Sequence, residues 1–236
     1  MKNIAFSLLL LACSLSVSAK SIVLSTHNLS PYGSYEAGAD IKKVANSDFT
    51  GIAVDRIRCA FKSMEIELTI LVVPWARAQL LAQSGEVDGF FAGSQNEFRD
   101  GYAVKTDIIA EQKWNWYWLK SNPQDIDSLE PMPRIGAFLG SNMSKWLAKN
   151  NYPIHSQPET TEQLLLQLKN GRIDLFIANN LVTDKLVKNS GMVDQLESRL
   201  VKDKPLYLYL TRKSLSTHPM LIDNFNNALK QCYSKM

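Results

Sequence analysis

Two stretches of small polar residues stand out as places where this chain could hold a ligand, Gly93-Ser94-Gln95 and Asn179-Asn180. Each follows a copy of one phrase, Gly85-Glu86-Val87-Asp88-Gly89-Phe90-Phe91-Ala92 and then Gly171-Arg172-Ile173-Asp174-Leu175-Phe176-Ile177-Ala178. Both copies read Gly-x-(Val/Ile)-Asp-x-Phe-x-Ala. Each comes after a leucine-rich helical stretch, begins with a helix-stopping glycine and continues through β-branched and aromatic residues, as a buried strand does. Ligands of open α/β sheets bind just beyond the carboxyl ends of strands. Helix, glycine and strand in succession are common α/β grammar, but a match at four positions in register points to a repeat. The expectation is two similar lobes whose strand ends share one cleft.

Around those strand ends lie side chains suited to anions. A guanidinium gives a carboxylate two parallel, charge-assisted N–H donors, and Arg99 lies five residues beyond Ser94. The alternative for Arg99 is a surface arginine paired with Glu97 or Asp100. Ser141-Asn142 falls where a turn enters a helix, with Ser141 as N-cap; such an end offers unpaired N–H groups and a positive dipole. Trp75 and Tyr32 are candidate aromatic walls, although Trp75 is equally suited to packing. Asp88 and Asp174 sit inside the repeated strands and read as structural. His27, His155 and His218 are scattered, with no Cys–His or Ser–His spacing and no metal-ligand spacing. No catalytic residue, metal or cofactor is therefore assigned.

The elements that must position these groups follow in order. A strand at Ser21–Ser25 runs into the Thr26–Tyr32 loop, and Gly33–Asp48 reads as loop. A helix covers Gly51–Met64, with Ala53, Ile57, Ala60, Phe61 and Met64 on one face. A strand at Ile66–Val73 stops at Pro74, and a helix runs from Trp75 to Gln83. Asn96–Gly101 reads as a loop. Lys113–Leu119 alternates with period two, placing Trp114, Trp116 and Trp118 on one side, a stripe that reads as packing. Asn122–Pro133 is a proline-bearing linker. A strand at Arg134–Phe138 precedes the helix that starts near Ser141, and Thr160 or Thr161 caps the helix before the second phrase. Leu181–Leu200 reads as one or two helices, Leu206–Thr211 as a strand, and the chain closes with a helix after Pro219. The aromatic strand at 113–119 and the strand at 206–211 are the expected crossings between lobes. This is mixed α/β order with right-handed crossovers.

At 236 residues the chain has length for one large domain or two small ones. A net charge of +3, spread along the sequence, gives no support for nucleic-acid binding, which would want a clustered basic face. Beyond the N-terminus no apolar run is long enough to span a bilayer. Lys2, the apolar Ile4–Leu15 and Val17-Ser18-Ala19 form a signal peptide, residues 1–19, cut after Ala19. Leu10-Leu11-Ala12-Cys13 is a poorer lipoprotein box, with Cys13 as the residue that would be lipidated. Export leaves Cys59 and Cys232, which either form one disulfide in an oxidising compartment or remain buried thiols. Both fall on helices that the two-lobe reading puts in lobe one, so the disulfide is expected.

These residues together resemble the periplasmic solute-binding proteins of family 3, the polar-amino-acid type that serves ABC transporters. The resemblance spans essentially the whole mature chain. It is carried by Ser30-Pro31-Tyr32, Gly51-x-x-Val54-Asp55, Pro74-Trp75-Ala76-Arg77-Ala78, Ser84-Gly85-Glu86-Val87-Asp88-Gly89 and Glu97-Phe98-Arg99, then by Ile135-Gly136, Gly140-Ser141 and Asn170-Gly171-Arg172-Ile173-Asp174. It implies the type II periplasmic-binding-protein fold, two mixed-sheet lobes joined by two hinge strands: lobe one from 20–111 and 205–236, lobe two from 112–204. It implies a monomer in the periplasm holding an amino acid or similar carboxylate between its lobes, with an inner-membrane ABC permease as partner. A membrane sensor as partner, or a periplasmic dehydratase on the same fold, are the alternatives. By resemblance Arg99 anchors the ligand carboxylate, Ser94 or Gln95 assists, and Ser141 and Asn142 make the second contact. The chain departs from the pattern where an aspartate usually meets the ligand's ammonium, because Asn179 stands there, and where an aromatic usually lies against the ligand, because Leu29 does. The ligand then either finds another acid, such as Glu97 or Asp184, or is not a free α-amino acid.

Overall fold

The computed structural model describes residues 21–36 and 46–233. The signal peptide and Cys13 lie outside them. In chain order the elements are β1 (Ser21–Thr26), α1 (Ile52–Ser63), β2 (Glu67–Val72), α2 (Trp75–Gln83), β3 (Gly89–Ser94), α3 (Glu97–Tyr102), β4 (Ala103–Ala110) and β5 (Lys113–Leu119). Then come β6 (Ile135–Ala137), α4 (Asn142–Lys149), β7 (Ile154–Ser156), α5 (Thr161–Lys169), β8 (Leu175–Asn179), α6 (Asn180–Asn189), β9 (Leu196–Asp203), β10 (Leu206–Thr211), α7 (Arg212–Thr217) and α8 (Leu221–Tyr233).

Two five-stranded sheets result, ordered β2-β1-β3-β10-β4 and β7-β6-β8-β5-β9. In each, the first three strands are parallel and the last two are antiparallel additions. The repeated phrase ends in β3 in one sheet and β8 in the other, at the same central place. Its aspartate does the same work twice. Asp88 donates its N–H to the carbonyl of Val23, and its Oδ2 accepts the N–H of the same residue at 2.9 Å. Asp174 exchanges the same two bonds with Arg134 and also takes the Arg134 guanidinium. Those bonds hold the Asp174 carboxyl down at about 2. Each aspartate thus pins its strand to the parallel neighbour at the end opposite the ligand loops, and both are structural. Gly85 and Gly171 each turn the chain out of the preceding helix with positive φ (73° and 64°).

The copies differ at Gly89, whose counterpart is Leu175. A Cβ on Gly89 would lie 2.2 Å from the Tyr209 carbonyl oxygen on β10. Gly89→Ala must therefore push β10 off β3, and a stability loss of about 1–3 kcal/mol is expected in urea melts; an unchanged midpoint would contradict the close approach.

The chain passes from sheet to sheet twice, by the two-residue links 111–112 and 204–205. The strands at 113–119 and 206–211, expected to make the crossings, are instead internal: β5 lies between β8 and β9, and β10 between β3 and β4. The links are bonded to each other, Lys204 donating its N–H to the Gln112 carbonyl and Gln112 its Nε2 to the Lys204 carbonyl, both at 2.9 Å.

The core of the first sheet is built on Leu24, Phe61, Phe91, Leu208 and Phe225, and Val182 of α6 packs onto it from the other sheet. In the second sheet Trp114, Trp116 and Trp118 pack with Ile135 and Leu147, as their alternation implies. Cys59 of α1 and Cys232 of α8 are joined by a disulfide, with Cα atoms 6.1 Å apart.

Two further sequence expectations are corrected. Asn96–Gly101 is not a loop, because Asn96 caps α3 by accepting the Arg99 N–H. The stretch to Leu200 is not all helix: 196–203 is β9, an exposed edge strand whose charged residues hide its period. The strands β4 and β7 carry no sequence signal of their own.

Candidate functional site

A cavity of about 1050 Å³ opens between the two sheets. Its floor comes from the C-terminal ends of β3 and β8 and the crossing links, as the topology requires. Trp75, Ser94, Arg99, Ser141, Asn142 and Asn179 all line it. Tyr32 and Gln95 do not. Tyr32 is fully buried in the first core, with its hydroxyl on the Glu111 carbonyl. A wall role is excluded because its side chain faces away from the cleft into packing. Gln95 is one residue past the strand end, so it points off the cavity and donates its amide to Asp100.

Arg99 decides the chemistry of the site. It is 1% exposed and is held by neutral oxygens alone. Nε and Nη2 both donate to Gln79 Oε1, at 3.2 and 2.9 Å, and Nη1 donates to the Ser94 carbonyl. The guanidinium also lies 5.0 Å from the Trp75 ring centre. Neither Glu97 nor Asp100 pairs with it. The Asp100 carboxylate instead accepts from Gln95 and from the Tyr209 hydroxyl. Burial pulls the guanidinium down to about 10, against the opposing influence of Tyr209, Tyr102 and Asp100. Of its five donors three are spent, which leaves one N–H on each terminal nitrogen. Such a buried cation without a counter-ion is costly unless an anion completes it.

The other lobe reaches the same spot from α4. Ser141 caps that helix, its Oγ accepting the Ser144 N–H at 3.1 Å. Asn142 crosses the cleft: its Nδ2 donates to Ser94 Oγ at 2.8 Å and to the Ser94 carbonyl at 3.1 Å, and its Oδ1 accepts from Asn96 Nδ2. Elsewhere Lys185 Nζ of α6 donates to Ser30 Oγ at 2.6 Å, and Lys204 Nζ to the Gln95 carbonyl at 2.8 Å. The two lobes are thus bridged by side chains at more than one point beside the cavity.

Three residues that line the cavity each also carry a side-chain atom that is sealed from solvent and has no partner: His27 Nδ1, Trp114 Nε1 and Asn179 Oδ1. Sequence reasoning did not place Trp114 here, and it offered His27 only as a cleft group that an enzyme on this fold could recruit. For Trp114 its stripe read as packing, which it also does; for His27 the only signal was its place just past the first strand. The His27 ring lies 4.5 Å from Trp75, and burial, reinforced by Arg99, pushes its pKa down to about 3. The unfolded imidazole protonates near 6.5 and the folded one only near 3, so between those values the unfolded chain binds more protons. Stability is therefore expected to fall as pH drops from 6.5 toward 3, by up to about 1.4 kcal/mol per pH unit from this group. Urea melts from pH 7 to 4 on the parent and on His27→Gln check this; equal slopes for the two would contradict it.

Among the described residues no group of three or more His, Cys, Asp or Glu side chains could hold a metal ion, and no helix is long and apolar enough to cross a membrane.

No family model matches this sequence, and no curated protein matches it. Solved structures do. A histidine kinase sensor domain with similarity to periplasmic binding proteins matches with a TM-score of 0.77 and 15% identity, over 92% of each chain. An ABC uptake transporter substrate-binding protein from Streptococcus pneumoniae, with histidine bound, matches with a TM-score of 0.74 and 16% identity, over 91% of this chain and 87% of that one. The GluR0 ligand-binding core from Nostoc punctiforme, in complex with L-glutamate, matches with a TM-score of 0.73 and 16% identity, over 91% of this chain and 93% of that one. This chain therefore has the two-lobed α/β fold of the periplasmic amino-acid-binding proteins.

Proposed function

We propose that this is an exported periplasmic solute-binding protein that captures a small carboxylate between its two lobes. The observation that carries the reading is Arg99, a desolvated guanidinium on the cavity wall with two free N–H groups and no carboxylate partner. A ligand carboxylate supplies the missing charge and takes both donors. Binding without catalysis fits this wall, because the one imidazole on it is held neutral and no carboxylate stands beside it as an acid–base partner. The Ser94–Asn142 bond and the Lys185–Ser30 bond join cavity-lining residues of the two lobes, so a ligand there lies between lobes already in contact.

The solute is delivered to an ABC permease or reported to a membrane sensor. The neighbours include one protein of each kind, a transporter's substrate-binding protein and a kinase sensor domain. A thermal-shift screen over small carboxylates, amino acids, amines and neutral sugars tests the reading, since a ligand that binds only the folded state raises Tm by mass action. Stabilisation by carboxylates is expected; stabilisation by amines or sugars alone would overturn it.

A further inference from the structure

We propose that the carboxylate this cleft selects carries an apolar body, an aryl or alkyl group of several carbons, in preference to polar acids. The inference rests on the reading of Arg99 as the carboxylate anchor and adds the chemistry of the rest of the ligand.

The first ground is the walls. Lobe one brings Tyr35, Val73 and Trp75 to the cavity, and lobe two brings Phe138, Leu139 and Leu186. None of the six is fully buried by the protein itself. Leu139 stays 48% exposed although it lines a cavity between lobes that touch. Apolar surface left to water on both lobes of a cleft is stabilised when a ligand's carbon atoms cover it. Trp114 extends this surface. It lines the cavity, but its Nε1 is sealed from solvent, so its side chain offers a ligand only carbon.

The second ground is that the polar side chains of the wall already have partners. Asn142 spends Nδ2 on Ser94 and Oδ1 on Asn96. The Ser141 hydroxyl is spent on Ser144 in the cap of α4. Gln112 donates its Nε2 to the Lys204 carbonyl, and Lys185 donates to Ser30. The acids of the wall, Glu159 and Glu162, are exposed and keep their water. A polar ligand body would give up water for groups that are already satisfied, which is costly. An apolar body loses nothing there.

The third ground is layout. The Arg99 guanidinium lies 5.0 Å from the Trp75 ring centre, so the apolar wall begins beside the anchor. The cavity of about 1050 Å³ sits at the top of the usual range for small-molecule sites, about 300–1,000 Å³, and leaves room for a sizeable body behind the carboxylate.

The test is calorimetry on the intact protein at pH 7. One series is propionate, butyrate, pentanoate and hexanoate, with 3-phenylpropionate as the aryl acid. Lactate, succinate and L-glutamate are the polar acids, and 1-hexanol and 3-phenylpropanol keep the apolar bodies without the charge. Affinity is expected to rise roughly threefold per methylene, the scale of burying one CH₂. Hexanoate and 3-phenylpropionate should then bind at least about tenfold more tightly than any polar acid, with a negative heat-capacity change that marks apolar burial. Leu139→Ser, at an exposed position, is expected to narrow that ratio. Polar acids binding as tightly as hexanoate and 3-phenylpropionate, or a flat series from propionate to hexanoate, would overturn the inference while leaving the Arg99 anchor in place. Alcohols binding as tightly as the matching acids, or no acid binding at all, would overturn both.

Discussion

Arg99→Ala is expected to cost about 2–5 kcal/mol of affinity for the anionic ligand, or roughly thirtyfold to several thousandfold in Kd, because it leaves a desolvated carboxylate without its charge-assisted pair. The size follows from the site's economy of charge: among the described residues no other buried cation stands in for the guanidinium. Arg99→Lys should recover only part of the loss, since an ammonium keeps the charge but cannot present two parallel donors. Calorimetry with a ligand found in the screen measures both, and circular dichroism confirms that the variants are folded. An alanine variant with parental affinity would move the anion site away from Arg99.

Loss of the disulfide is expected to have an effect of similar size on stability and none on binding. Cys59 and Cys232 are separated by 173 positions and tie α1 to α8. A cross-link closing so long a loop restricts the unfolded chain by up to about 5 kcal/mol in the chain-entropy model, and measured losses run at about 2–5 kcal/mol. The double variant Cys59→Ser, Cys232→Ser should melt about 5–15 °C lower. Neither cysteine lines the cavity, so its Kd should match the parent below its own melting range. Two freely alkylated thiols in the unreduced, unfolded parent would show that the bridge does not form in the exported protein.

The two-sheet plan was legible because it is written in local signals. The Gly-x-(Val/Ile)-Asp phrase carries a helix stop, a structural aspartate and a buried strand in one register, and it recurs in both sheets. The helices at 52–63 and 221–233 announced themselves by one-sided apolar spacing. What stayed hidden is set by tertiary context. The α3 helix has only six residues, one of them Gly101, and is held by the Asn96 cap more than by propensity. As an exposed edge strand, β9 lacks the alternation that burial imposes. Tyr32 looked like a wall because it sits in a polar loop, yet the core behind that loop takes it. Arg99 was ambiguous between surface and site: its sequence neighbours are acids, and the neutral oxygens of Gln79 and Ser94 that hold it become visible only in three dimensions. The free Trp114 indole N–H was invisible for the same reason, since an indole in an aromatic stripe reads as packing.

The measurement that bears most directly on the central claim is a crystal structure of the complex with the tightest carboxylate from the screen. The ligand's two carboxylate oxygens are predicted to lie about 3 Å from Arg99 Nη1 and Nη2, in the cavity between β3 and β8. A ligand bound elsewhere, or one in the cavity with its carboxylate turned away from Arg99, would contradict the account.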